Sequence, residues 1–316
     1  MTALATLLAV LMLGQTGPAQ PASSVPQAVD QSTAVPDVQV NGERIDREAI
    51  EERAAAFVEE VADPPFGAQL ARWNTPICVG VSNMRSPYGQ LLIDRVGQHA
   101  ADLGLEVGEA GCKPNVVIVA TPDGRATASH LVEEAGLSFR PTDGGSNPSR
   151  AALRAFQTSD APVRWWNVAL PVGEQGETAS RPRGGMGTGG GPPDAPVVVV
   201  HAGSRLTSSI RTDMTWVIIV IDFNRTGGLP LGSLADYVSM VALAQIDPDA
   251  DLSGYDTILN AFSDPSQAHS LSDWDLGYLQ SIYSGQANRA NARQRRNEVV
   301  RTLVQNQIAP VPTGAQ

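Results

Sequence analysis

The sequence predicts an α+β fold: a mixed, mostly parallel, twisted sheet packed on helices. Three observations predict it. First, residues 76–82 (Pro-Ile-Cys-Val-Gly-Val-Ser) and 115–120 (Asn-Val-Val-Ile-Val-Ala) read as buried strands, with a helical stretch between them. Short connections around that helix make the strands parallel and the crossover right-handed. Second, residues 214–222 (Met-Thr-Trp-Val-Ile-Ile-Val-Ile-Asp) form the most hydrophobic run after the N-terminus, as a central strand should. Third, residues 234–246 have helical character but are apolar on nearly every side, so that helix must lie inside the molecule.

The chain opens on an unbroken small and apolar run, residues 3–13, followed by Gly14 and a polar stretch to Gln20. These are the h-region and c-region of a signal peptide, with Gly17 and Ala19 at the −3 and −1 cleavage positions. The n-region departs from the pattern, having no Lys or Arg. The competing reading is a buried N-terminal helix. Residues 1–19 are therefore expected to be a leader and the chain a periplasmic or secreted protein. Residues 20–45, rich in Pro, Ala, Ser, Val and Gln, are expected to be a flexible linker. Asp46 caps a helix over 47–61 with Ile50, Ala54, Phe57 and Val61 at helical spacing. Asp63-Pro64-Pro65 ends it, so the N-terminal helix occupies 46–63.

The main body begins at Trp73. Ser86-Pro87 starts the crossover helix, with Ser86 as its cap, and Leu91, Leu92, Arg95, Val96 and His99 lie along one side of it. A helix over 126–135, a loop over 141–149, a short helix over 151–156 and a strand over 164–170 follow. Residues 171–196 hold a Gly-, Pro- and Arg-rich insertion expected to be disordered. It contains Gly185-Met-Gly187-Thr-Gly-Gly190, a formal match to G-x-G-x-x-G, but no strand leads into it and Pro192-Pro193 stands where a helix would start. Residues 196–201 read as an edge strand. Ser233 is expected to cap the buried helix. Ser272 caps a helix to Tyr283 with Asp275 in the capping-box position. The last helix, about 287–307, carries five arginines and an apolar stripe, and the C-terminal segment spans 285–316.

Cys78 lies early in the first strand and Cys112 just before the second. Parallel neighbours start at the same end of a sheet, so the two sulfurs should meet, and an isolated pair in an exported chain is expected to form a disulfide. The formal net charge of −11 and the single lysine, Lys113, argue against nucleic acid as a partner and exclude a phosphate-loop lysine elsewhere. No apolar run after the leader reaches the roughly 20 residues needed to span a bilayer.

The order strand, helix, strand, edge strand, central strand, buried helix, turn, capped helix resembles the catalytic domain of metzincin metallopeptidases, the matrixin-like branch in particular, over about residues 73–284. Residues 215–222 look like the family's strand before its active-site helix, residues 257–260 (Thr-Ile-Leu-Asn) like its Met-turn, and residues 271–283 like its closing helix. Some secreted bacterial families of unassigned function share the outline. The family motif H-E-x-x-H-x-x-G-x-x-H places two His nitrogens on one helix face to reach one zinc, with Glu between them as the base. In that frame the ligand, base and ligand positions hold Tyr237, Val238 and Val241. The Gly position holds Ala244, the third His position Asp247 and the Met position Leu259. No histidine occurs between His201 and His269, and no glutamate between Glu177 and Glu298. The resemblance therefore implies a degenerate scaffold lacking the zinc motif. It has no zinc and no base, and no cofactor is expected.

Other chemistry is sparse. No G-x-S-x-G is present. His99, His130, His201 and His269 are widely separated. Asp247, Asp249, Asp251 and Ser253 alternate like a calcium loop, but Leu252 and Ile258 stand where an EF-hand needs Gly and Glu. Two functions follow. One is a non-catalytic binding or envelope-structural protein, with a groove near Asp236, Tyr237, Asp247 and His201 taking a peptide or an envelope protein. The other is a hydrolase built on Asp247, Asp222 and His201.

Overall fold

A computed structural model describes residues 47–62, 64, 69–136, 139, 149–173, 208, 210–264, 270–285 and 291–308. The leader, the linker, residues 141–148, the expected strand at 196–201, and His201 and His269 lie outside the described residues. So does the insertion beyond Gly173.

The elements in chain order are α1 (Arg47–Val61), β1 (Arg72–Trp73), β2 (Val79–Ser82), α2 (Ser86–Asp102), β3 (Val116–Thr121), α3 (Gly124–Glu134), α4 (Arg150–Thr158), β4 (Val163–Gly173), β5 (Ile210–Asp222), α5 (Leu231–Leu243), a 3-10 turn (Ile258–Asn260), α6 (Asp273–Ser284) and α7 (Ala292–Ile308). β2, β3 and β5 pair in parallel, with Val79 beside Val116 and Val116 beside Val217. β4 runs antiparallel along one whole side of β5. β1 and β3 therefore share the other side, β1 beside Asp213 and Met214 and β3 beside residues 217–222. The sheet is mixed and mostly parallel, as expected. β5 lies at its centre, and its residues from Val217 to Ile221 are each at most 3% exposed.

The two faces of the sheet bury different cores. α3 and α4 close one face over Val119, Phe156, Trp166, Ile218 and Val220, with Phe139 wedged among them. The larger core holds Ile118, Val217, Ile219 and Ile221 from the other face together with α1, α2, α5, α6 and α7. That arrangement follows from the strand period of two, which sends alternate β5 side chains to opposite faces.

Cys78 and Cys112 form a disulfide, with Cα atoms 6.0 Å apart. Parallel pairing brings them together, and Asn115 fixes the approach. Its side chain donates to the Pro76 carbonyl at 2.9 Å and accepts from the Cys78 amide at 2.8 Å. Gly108 packs on the bridge; a Cβ there would stand 2.8 Å from the Cys112 sulfur. The described chain has no helix long and apolar enough to cross a membrane.

Several boundaries differ from expectation. Arg85, not Ser86, is the N-cap of α2, and Ser86 and Pro87 fill its first turn. α5 starts three residues before 234, at Leu231, because Pro230 precedes it with extended backbone and fixes the first turn. Ser233 thus lies inside the helix. β4 continues to Gly173, into the segment expected to be insertion, because residues 170–173 find partners on β5 at Ile210–Asp213. The capping box at Ser272 and Asp275 forms as expected.

Candidate functional site

The centre of interest is α5. All its residues from Ser233 to Leu243 are buried. Val238 and Val241 are fully buried in the larger core. An apolar helix in that position leaves its final carbonyls to be satisfied by other elements, since a helix cannot bond its own last turn. Two side chains do this for the last turn, and two more bond carbonyls at and just past the C-cap Ala244. The Trp73 indole donates to the Ala242 carbonyl at 2.8 Å and the Tyr283 hydroxyl to the Leu243 carbonyl at 2.5 Å. The Asn167 amide donates to Ala244 at 3.3 Å and the Trp165 indole to Ile246 at 3.1 Å. β1, α6 and β4 are thereby tied to one helix end.

The opposite side of α5 carries an ion cluster. Asp236, 1% exposed, accepts both Arg95 Nε at 2.5 Å and Arg95 Nη2 at 2.8 Å from α2. It also bonds His99 Nε2 at 2.7 Å. Burial alone would raise the Asp236 carboxyl, but the hydrogen bonds from His99 and Arg95 and the Arg95 charge outweigh it and hold the group below its ordinary value. Asp236 therefore clamps α2 to α5. Neighbouring Tyr237 points elsewhere, packing edge-on to Trp165 and Phe262.

Tyr237 lines a pocket of about 160 Å³ that wraps around β4. Ala152, Phe156 and Trp166 form one wall, and Trp165, Asn167, Ile246 and Pro248 contribute the rest. Burial, with no hydrogen bond or charge to offset it, pushes the Tyr237 hydroxyl well up and keeps it a neutral donor. Asn167 is 3% exposed, and its Oδ1 has no hydrogen-bond partner among the described residues. The backbone adds to this. The Asp222 amide donates to the Pro162 carbonyl, so Pro162 and Asp222 are a hydrogen-bonded pair. The ladder alternates, and Val163, Trp165 and Asn167 therefore turn their N–H and C=O groups away from β5. Among the described residues, β4 pairs with β5 alone.

Comparison with family models, curated proteins and solved structures finds no match.

The other sequence candidates are separated. Asp222, 3% exposed, accepts from the Gly124 amide at 2.9 Å and the Asn224 amide at 3.2 Å, joining the end of β5 to the start of α3. Asp247 Oδ1 accepts from the Asp249 amide at 2.9 Å and Asp251 Oδ1 from the Ser253 amide at 3.2 Å, so both carboxylates close local turns. Among the described residues no three His, Cys, Asp or Glu side chains converge as a metal-binding group. The turn at 257–260 is held by Asp275, whose carboxylate accepts from Thr257 Oγ1 at 2.5 Å, the Ile258 amide at 2.8 Å and the Ser272 amide at 2.9 Å. Burial raises that carboxyl against the pull of those bonds.

Sequence reasoning missed Trp165 and Asn167. The Trp-Trp-Asn triplet inside a short strand was the available signal, because alternation puts Trp165 and Asn167 on one face and Trp166 on the other. The Arg95 and His99 side of α2 was visible, but its buried acidic partner was not.

Proposed function

We propose that this chain is an exported, non-catalytic protein on a degenerate metallopeptidase scaffold. Its role is binding or envelope structure, and the outer edge of β4 is its groove for an extended peptide. The observation that carries this reading is the burial of Val238 and Val241 in the main core, at the positions where the resemblance puts the base and the second zinc ligand. A carboxylate or imidazole in their place would have to sit among Leu, Ile and Met side chains. The order of elements supports the scaffold: a parallel strand pair, a central strand, a buried helix, a turn and a capped helix follow one another, while the edge strand of the resemblance, at 196–201, lies outside the described residues. The disulfide, and the lack of a membrane-spanning helix among the described residues, are compatible with a periplasmic or extracellular location.

The outward backbone groups at Val163, Trp165 and Asn167 support the groove, because a strand edge with no partner among the described residues accepts an extended chain through main-chain hydrogen bonds. The groove proposed here lies on β4, since residues 196–201 are outside the described chain. The pocket draws its lining from both sheet faces, with Phe156 on one side and Pro248 on the other. Such a recess admits a single strand more readily than the equally flanked edge of a second copy. Amide hydrogen exchange of the exported protein, with and without a blocked alanine-rich pentapeptide containing glutamine, tests the groove. Slower exchange at Val163, Trp165 and Asn167 with an intact peptide is expected. Recovery of cleaved peptide would refute the non-catalytic reading.

A further inference from the structure

The groove reading says that a strand fits beside β4; the side chains around the pocket say what that strand carries. A peptide residue placed opposite Trp165 sends its side chain to the α5 face of the sheet, the face that Trp165 and Asn167 share. There it meets the pocket that Trp165, Asn167, Tyr237 and Ile246 help to line. Two polar side chains contribute to these walls. Asn167 Oδ1 is a buried acceptor without a partner among the described residues, and its amide nitrogen is already committed to the Ala244 carbonyl, which fixes the oxygen's orientation. The Tyr237 hydroxyl is a neutral donor. A buried unsatisfied acceptor is destabilising unless a ligand or water completes it, and it rejects any group that cannot donate.

We infer that this pocket selects a carboxamide side chain, as of glutamine, from an extended peptide: Asn167 Oδ1 accepts the ligand N–H and the Tyr237 hydroxyl donates to the ligand C=O. The inference rests on the proposed groove and adds its specificity. A carboxylate fails because its oxygens would face Asn167 Oδ1 with no proton between them. An aliphatic side chain of the same length fits the aromatic and aliphatic walls but leaves the Asn167 acceptor and the Tyr237 donor unpaired. An ammonium group could donate to both oxygens but would lose its hydration among the aromatic and amide groups of these walls.

The test uses the full exported chain and three fluorescein-labelled probes: blocked Val-Ala-Gln-Ala-Val, and its versions with Glu or Leu at the centre. Fluorescence anisotropy reads affinity, and amide exchange at Val163, Trp165 and Asn167 reads the binding place. The glutamine probe should bind about tenfold more tightly than either of the others, as expected for one buried hydrogen bond left unmade. Tyr237→Phe removes only the hydroxyl and should narrow the gap between glutamine and leucine several-fold while the protein stays folded; Asn167→Leu should abolish the gap. If leucine binds as tightly as glutamine, with all three amides protected, the carboxamide inference is overturned and the groove stands. If no probe protects those amides, the groove falls and the inference with it.

Discussion

Asp236 shows how a single residue is fixed by its partners. Its carboxylate is removed from water and would be unstable there alone, but Arg95 and His99 supply three donor contacts from one helix face. Because the folded carboxyl lies below its ordinary value, the unfolded chain binds the proton more readily. The contribution is therefore fully present above the ordinary carboxylate value of about 3.9 and is lost as pH falls through the lower folded value. Asp236→Asn should cost about 2 kcal/mol at pH 7, a figure reduced because Arg95 is 42% exposed. Thermal melts between pH 7 and pH 2.5 check both parts. The variant's stability should fall less steeply below pH 4 than the wild type's; parallel curves would show that Asp236 is not the titrating clamp. Sequence alone placed Asp236 near a groove, and here it was misleading about direction. Adjacent helix residues point about 100° apart, so Asp236 reaches α2 while Tyr237 reaches the pocket.

At the scale of elements, α5 is the member around which others are tied. Its burial was legible because no polar stripe interrupts residues 234–244, and the capping box of α6 was legible because Ser272 and Asp275 are both local to it. The side chains that satisfy the α5 carbonyls were not legible. Trp73, Asn167, Trp165 and Tyr283 come from three elements between 40 and 169 residues away in sequence, and nothing local to α5 names them. Val241→His places an imidazole at a fully buried site without a partner and should destabilise by about 1–3 kcal/mol, measured by urea unfolding, without creating peptidase activity. An unchanged midpoint would mean that the site has room and polarity the present packing denies. The β2–β3 pair makes a separate prediction. The disulfide closes a loop of 34 residues, so replacing Cys78 and Cys112 with Ser should lower stability by about 3–4 kcal/mol on the chain-entropy account. Unfolding of the two forms under oxidising conditions decides it; equal stability would leave the bridge without that role.

For the molecule as a whole, the mixed, mostly parallel sheet, with its parallel strand pair and central strand, was readable because apolar runs and helix caps recur along residues 73–284. The site was readable only in part. Tyr237 belongs to the pocket, but its strongest neighbours sit on β4, whose edge position depends on which strand pairs with β5 rather than on its own composition. The absence of His and Glu from the α5 segment is a fact of the sequence, and the structure adds that Val238 and Val241 lie within the main core and that Asp247 turns to its own loop. A lone carboxylate cannot hold zinc against water, since a structural or catalytic site needs three or four protein ligands. The direct measurement is the metal content of the protein purified without chelators, by plasma mass spectrometry against protein concentration. A non-catalytic scaffold predicts less than about 0.1 zinc per chain, even after incubation with zinc and gel filtration. One zinc per chain that survives filtration, with three ligands converging on it, would contradict the account.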